Sequence, residues 1–166
     1  MRPSRPVRWA AAFLALGGMV AVLVWWWLPG QRHDVAAGRL RPDDAQVVQR
    51  GAQVYLARCA SCHGATLEGQ PNWRERGADG RLPAPPHDES GHTWHHADDV
   101  LIALTKEGVA RAAGLPGYAT NMPAFVDSLS DADIVAVLSW IKSRWSPETR
   151  AQHDAINQQA AKRSQR

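Results

Sequence analysis

Cys59 and Cys62 are the only two cysteines of the chain, and His63 follows the second one directly. The stretch Cys59-Ala60-Ser61-Cys62-His63 limits what the chain can fold into more than any other feature. Thiols three positions apart lie on one side of a helical turn, and the next residue is swung beneath whatever they hold. That is the spacing for covalent haem attachment: the thiols reach the two vinyl groups along one porphyrin edge, and the imidazole reaches the iron. Other readings of the motif are weaker. A disulfide scaffold needs several spaced cysteines. A thioredoxin-like C-x-x-C belongs within a βαβ unit, and no such pattern is visible. A zinc site needs two more ligands, for which only His92, His95 and His96 stand at all near.

The formal charge of +3 is unevenly spread. Arg2, Arg5, Arg8 and Arg32 lie in the first 33 residues with no acidic residue among them, so fifteen basic residues face sixteen acidic ones in the remainder. A near-neutral remainder is not the footprint of a nucleic-acid binder. From Trp9 to Leu28 there is neither a charge nor a proline, and Pro29-Gly30 ends the run. Twenty helical residues span roughly 30 Å, the hydrocarbon thickness of a bilayer. Trp25, Trp26 and Trp27 suit its interface, and the arginines ahead of it keep the N-terminus cytoplasmic by the positive-inside rule. A cleaved signal peptide is the competing reading. The run is long for an h-region, and its nearest small-residue site, Val35-Ala36-Ala37, is displaced.

Residues 1–29 are thus expected to form a single transmembrane helix or signal peptide, and 30–42 a linker. Residues 43–146 form the domain proper, and 147–166 a polar C-terminal tail in which Ser146-Pro147-Glu148 is able to start one more helix. Asp43 or Asp44 caps a helix to about Arg58, with Val47, Gly51, Val54 and Tyr55 on one face. Residues 64–93 read as a long loop wrapped around something. A short helix runs from Asp99 to Glu107 with Val100, Leu101 and Leu104 as its buried stripe, and Gly108 stops it. After a second loop, 108–127, Ser130 and Asp133 make a capping-box-like start for the strongest helix. That helix buries Ile134, Val137, Leu138, Ile141 and Trp145. No strand is expected.

A sixth ligand decides between carrier and catalyst. Met122, in Asn121-Met122-Pro123-Ala124-Phe125, is the only methionine outside the start and the apolar run. Its thioether suits haem iron and raises the potential, with Pro123 stiffening the loop; core filling is the plainer role for one methionine. His87, His92, His95 and His96 offer bis-histidine ligation or a copper or zinc site as alternatives. The plainer reading is a polar loop with Trp94 covering a haem edge.

Taken together, Gly51 and Tyr55 ahead of Cys59-Ala60-Ser61-Cys62-His63-Gly64, the Met122 loop, and the helix from Leu129 to Lys142 resemble the class I c-type cytochrome family. The long loop is similar to that of membrane-anchored bacterial mono-haem members. The resemblance implies an all-α fold, a small cytochrome c-like helical domain around one haem c. It implies crossing of the first and last helices, with Gly51 and Tyr55 against Val137 and Trp140. It also implies His63 as proximal and Met122 as distal ligand, and a proline carbonyl accepting the proximal N–H, with Pro83, Pro85 and Pro86 as candidates.

With both axial positions filled, the expected activity is one-electron transfer, not enzymatic turnover, between membrane or periplasmic redox partners. Its place is the outer face of the cytoplasmic (inner) membrane. The rivals are a haem-bearing enzyme subunit or ligand sensor with an open or histidine-gated iron, and a copper-binding role for the histidine-rich loop.

Overall fold

The computed structural model describes residues 40–166. The apolar run and nearly all of the linker lie outside the described residues. The elements are α1 (Ala45–Arg58), α2 (Ala60–His63), a 3-10 turn (Thr93–His95), α3 (Asp98–Glu107), α4 (Val109–Ala112), α5 (Asp131–Ser143) and α6 (Pro147–Ser164). Among the described residues there is no strand, and no helix is long and apolar enough to cross a membrane. The all-α expectation holds.

Asp44 is the cap of α1: its Oδ1 accepts from the N–H groups of Gln46 and Val47 at 3.1 and 3.2 Å. Ser130 caps α5 by accepting from Asp133 N–H at 3.1 Å, while its hydroxyl donates to the Asp133 carboxylate at 2.8 Å. Both caps satisfy amides that a helix start leaves without partners. The two helices cross at Gly51. A Cβ there would lie 2.0 Å from the carbonyl oxygen of Ala136 and 2.8 Å from Trp140 Cβ. One turn on, the Tyr55 and Trp140 rings meet at 4.5 Å. Around this crossing Val54, Tyr55, Leu101, Ile134, Val137, Leu138, Ile141 and Trp145 form the core. Each fully buried aliphatic side chain contributes about 1.5–3 kcal/mol.

Two expectations are corrected. Val100 is 45 % exposed and Leu104 only half-buried; α3 buries the expected Leu101, but with Asp98 and Thr105 beside it. The stripe is rotated because Asp98 is tied inward: its carboxylate accepts from Leu40 N–H at 2.8 Å and from Asn157 Nδ2 at 3.0 Å. A short helix, α4, also interrupts the second loop.

Residues 147–164 are helical, with Ser146 Oγ accepting from Thr149 N–H and Pro147 in the first turn. This helix has no apolar stripe and is held by polar contacts. Asn157 accepts from Asp98 N–H at 2.8 Å, Asp154 meets Lys142 Nζ at 2.5 Å, and Arg150 grips both Asp43 oxygens at 2.7 and 2.8 Å. His153 is fully buried, donates from Nε2 to the His96 carbonyl at 2.9 Å, and stands edge-on to Trp145. Its Nδ1 is buried without a partner.

That orphaned nitrogen makes a neutral ring the stable form. Burial, and Lys142 after it, pushes His153 below its ordinary 6.5, against the pull of Asp98, the His96 carbonyl and Asp154. The unfolded chain therefore takes up the proton first. The contribution of the neutral ring is complete above about pH 6.5 and is lost as pH falls through the depressed folded value. Urea unfolding across that range should show a shallower loss of stability in His153→Gln than in the native chain; parallel slopes would contradict the assignment.

Candidate haem site

The turn carrying the two cysteines continues α1 after a one-residue break. His63 N–H donates to the Cys59 carbonyl at 2.9 Å and Cys62 N–H to the same oxygen at 3.1 Å. Both thiols are free, Cys59 half-buried and Cys62 exposed. The turn is clamped from below by Tyr55, whose hydroxyl donates to the Gly64 carbonyl at 2.8 Å. Burial first, and the neighbouring Cys59, Glu68 and Asp88 charges after it, push the Tyr55 phenol far up, so it stays a donor. Burial, with Cys62 behind it, pushes the Cys59 thiol up to about 11. A reactive dithiol needs the opposite shift, and among the described residues no strand supplies the βαβ setting of a thioredoxin-like motif.

His63 is buried, and its Nδ1 lies 2.8 Å from the Pro85 carbonyl. Burial holds the ring below its ordinary range, with the Pro85 bond opposing. A neutral imidazole with Nδ1–H committed to a carbonyl leaves the Nε2 lone pair for a metal. Of the three candidate prolines Pro85 takes this place because the loop is stitched there. Gln70 N–H donates to the Ala84 carbonyl at 2.9 Å, and Ala84 N–H donates to Gln70 Oε1 at 2.9 Å. Gly69 and Gly91 lie so close to Pro86 that a Cβ on either would sit 2.5 and 2.1 Å from its backbone.

Met122 is half-buried in the loop between α4 and α5, its N–H donating to Thr120 Oγ1 at 3.1 Å. That loop is tied to α3 by Phe125 N–H to the Thr105 carbonyl and Val126 N–H to the Lys106 carbonyl, at 3.2 and 2.9 Å. Trp94 is half-buried against the core, donates from Nε1 to the Glu89 carbonyl at 3.3 Å and stacks on His95 at 3.6 Å. The histidine-rich loop spends its rings on neighbours: His92 stacks on Trp73 at 5.4 Å and stands edge-on to His96. Among the described residues no three His, Cys, Asp or Glu side chains are grouped to hold a metal ion.

The cytochrome c family model matches residues 48–145. The chain belongs to the cytochrome c family. No curated protein and no solved structure matches it. As a c-type cytochrome it binds haem c covalently and transfers electrons; its family is one of carriers, generally not enzymes. The residues present fit that group: two free thiols on one turn and a neutral imidazole oriented by a carbonyl form a donor set suited to haem.

Three contacts around this site lie beyond the sequence reading, which named Trp145 and His87 in other roles and Leu67 in none. Leu67 is buried at φ 77, and its carbonyl accepts from the N–H groups of His87 and Asp88 at 2.8 and 3.3 Å. Such a backbone costs a non-glycine about 1–3 kcal/mol and persists only where its surroundings enforce it. Trp145 Nε1 donates to the His87 carbonyl at 2.8 Å, and His87 itself stacks on His63. The Pro85-Pro86 pair just before His87 was the one available signal.

Proposed function

We propose that this cytochrome carries single electrons between membrane or periplasmic redox partners, tethered by residues 1–29 to the outer face of the cytoplasmic membrane. In this reading Cys59 and Cys62 form the two thioethers, His63 is the proximal ligand and Met122 the distal one, and Trp94 covers a haem edge. Bound haem supplies an iron that alternates between ferrous and ferric states. The chain supplies the rest. Pro85 holds Nδ1 of the His63 ring, Tyr55 holds the attachment turn, and the close approaches of Gly69 and Gly91 to Pro86 hold the loop that carries Pro85. His63 and Met122 would together hold the iron, leaving it no place for substrate, so the chemistry supplied would be electron transfer alone.

The observation that carries the reading is the His63–Pro85 bond beside two free thiols, because it presents a neutral imidazole in the tautomer a metal needs. Protein matured in an export-competent host should retain its tetrapyrrole through acid–acetone extraction, and ferric resonance spectra should identify histidine and methionine on the iron. Loss of the pigment into the solvent overturns covalent attachment. A retained pigment without a methionine signature overturns only the Met122 assignment.

The tether and its side of the membrane rest on the uncharged run from Trp9 to Leu28 and the arginines before it. Fractionation of expressing cells tests them: the pigment should stay with washed inner membranes, and a freely released periplasmic pigment contradicts the tether.

A further inference from the structure

The functional reading gives His87 no role, yet its ring lies against that of His63, with centroids 4.1 Å apart and planes 26° from parallel. It is held from three directions. Its Nδ1 is 2.8 Å from the hydroxyl of buried Thr93, its N–H donates to the Leu67 carbonyl at 2.8 Å, and its carbonyl accepts from Trp145 Nε1 at 2.8 Å. Tyr55 stands edge-on at 6.4 Å. An apolar side chain would fill the same space without the cost of burying a polar ring. Face-on stacking also aims the ring nitrogens past one another, so the two imidazoles do not converge on one metal ion.

We propose that His87 is a positioning residue for the axial imidazole of this cytochrome, fixing the plane of the His63 ring and placing a rigid dipole against it. The proposal rests on His63 being the iron's ligand. The Pro85 carbonyl holds one atom of the His63 ring, and a single hydrogen bond tolerates tens of degrees of tilt. A ring stacked on the open face removes that freedom. The ferric centre carries one more positive charge than the ferrous one, so a fixed dipole beside the ligand changes the balance between them, upward or downward as its negative or positive end faces away from the iron. His87 therefore sets the potential away from the value an apolar side chain in its place would give.

The test uses the full chain, matured with its pigment, in three variants: His87→Leu, His87→Phe and Thr93→Val. His87→Leu should shift the midpoint potential by about a tenfold change in the ferrous-to-ferric ratio, ~59 mV for one electron, and should move the ferric electron-resonance g values. His87→Phe keeps a ring on the face, so it should shift the midpoint in the same direction while leaving the g values near native. Thr93→Val frees the His87 ring without removing it, and should shift both readouts less than His87→Leu. A role in packing alone would lower the unfolding temperature and leave midpoint and g values unchanged, and that result overturns the proposal. If the leucine variant does not fold, Thr93→Val decides on the same two readouts. Absence of covalent pigment in the native chain would instead defeat the functional reading on which the proposal stands.

Discussion

Gly51→Ala should lower the thermal midpoint of the pigmented protein by roughly 10 °C, read by far-ultraviolet dichroism. The sign matters more than the size. In an exposed helix interior the same change stabilises by about 1 kcal/mol, because alanine loses less backbone freedom on folding. Here the added methyl would sit 2.0 Å from the Ala136 carbonyl oxygen and 2.6 Å from its carbon. Neither atom is the end of a flexible side chain; both belong to the backbone of α5. The helices must separate, and the Tyr55–Trp140 contact at 4.5 Å separates with them. Overpacking of this kind costs about 3 kcal/mol. A midpoint equal to or above the native one would show that the helices do not cross at this residue.

Met122→Ala should act on the iron and scarcely on the fold. The side chain is half-buried on a loop whose ends are held to α3 by main-chain bonds that survive the substitution. In the proposed ligation, removing the thioether takes away the group that would raise the potential. The ferrous-to-ferric balance should fall by roughly a hundredfold, ~120 mV at 59 mV per tenfold for one electron. The vacated position should also let carbon monoxide bind the reduced protein promptly, where the native protein binds it slowly or only on unfolding. Potentiometric titration with a carbon monoxide difference spectrum checks both halves. An unchanged midpoint would remove Met122 from the iron.

The parts legible in the sequence share a cause: they are encoded by neighbours. Cys59, Cys62 and His63 sit on one turn, Asp44 and Ser130 cap the helix that starts next to them, and Gly51 marks the crossing within the face carrying Val54 and Tyr55. The missed parts depend on partners far along the chain. The helix after Pro147 is polar all round, so periodicity gave no reason to dock it. Asn157 reaches Asp98 across 59 residues, and His153 reaches His96 across 57. The same partnership turned α3, since a buried Asp98 is invisible to a pattern that counts apolar residues. The choice of Pro85 among three prolines is made by close backbone approaches at Gly69 and Gly91, which no side-chain pattern reports. His87 was read as one member of a histidine-rich stretch because its distinction is spatial.

The crossing of α1 and α5 also governs how the molecule comes apart. Arg50 and Asp133, paired across it, stand 83 residues apart, so the attachment turn, Pro85, His87 and the Met122 loop all lie on the stretch of chain that this crossing closes. Closing a stretch of that length costs about 4 kcal/mol of chain entropy, which the contacts between the two helices must offset together. Weakening any one of those contacts should therefore slow assembly, because the distant ends have to meet before the segments between them are enclosed.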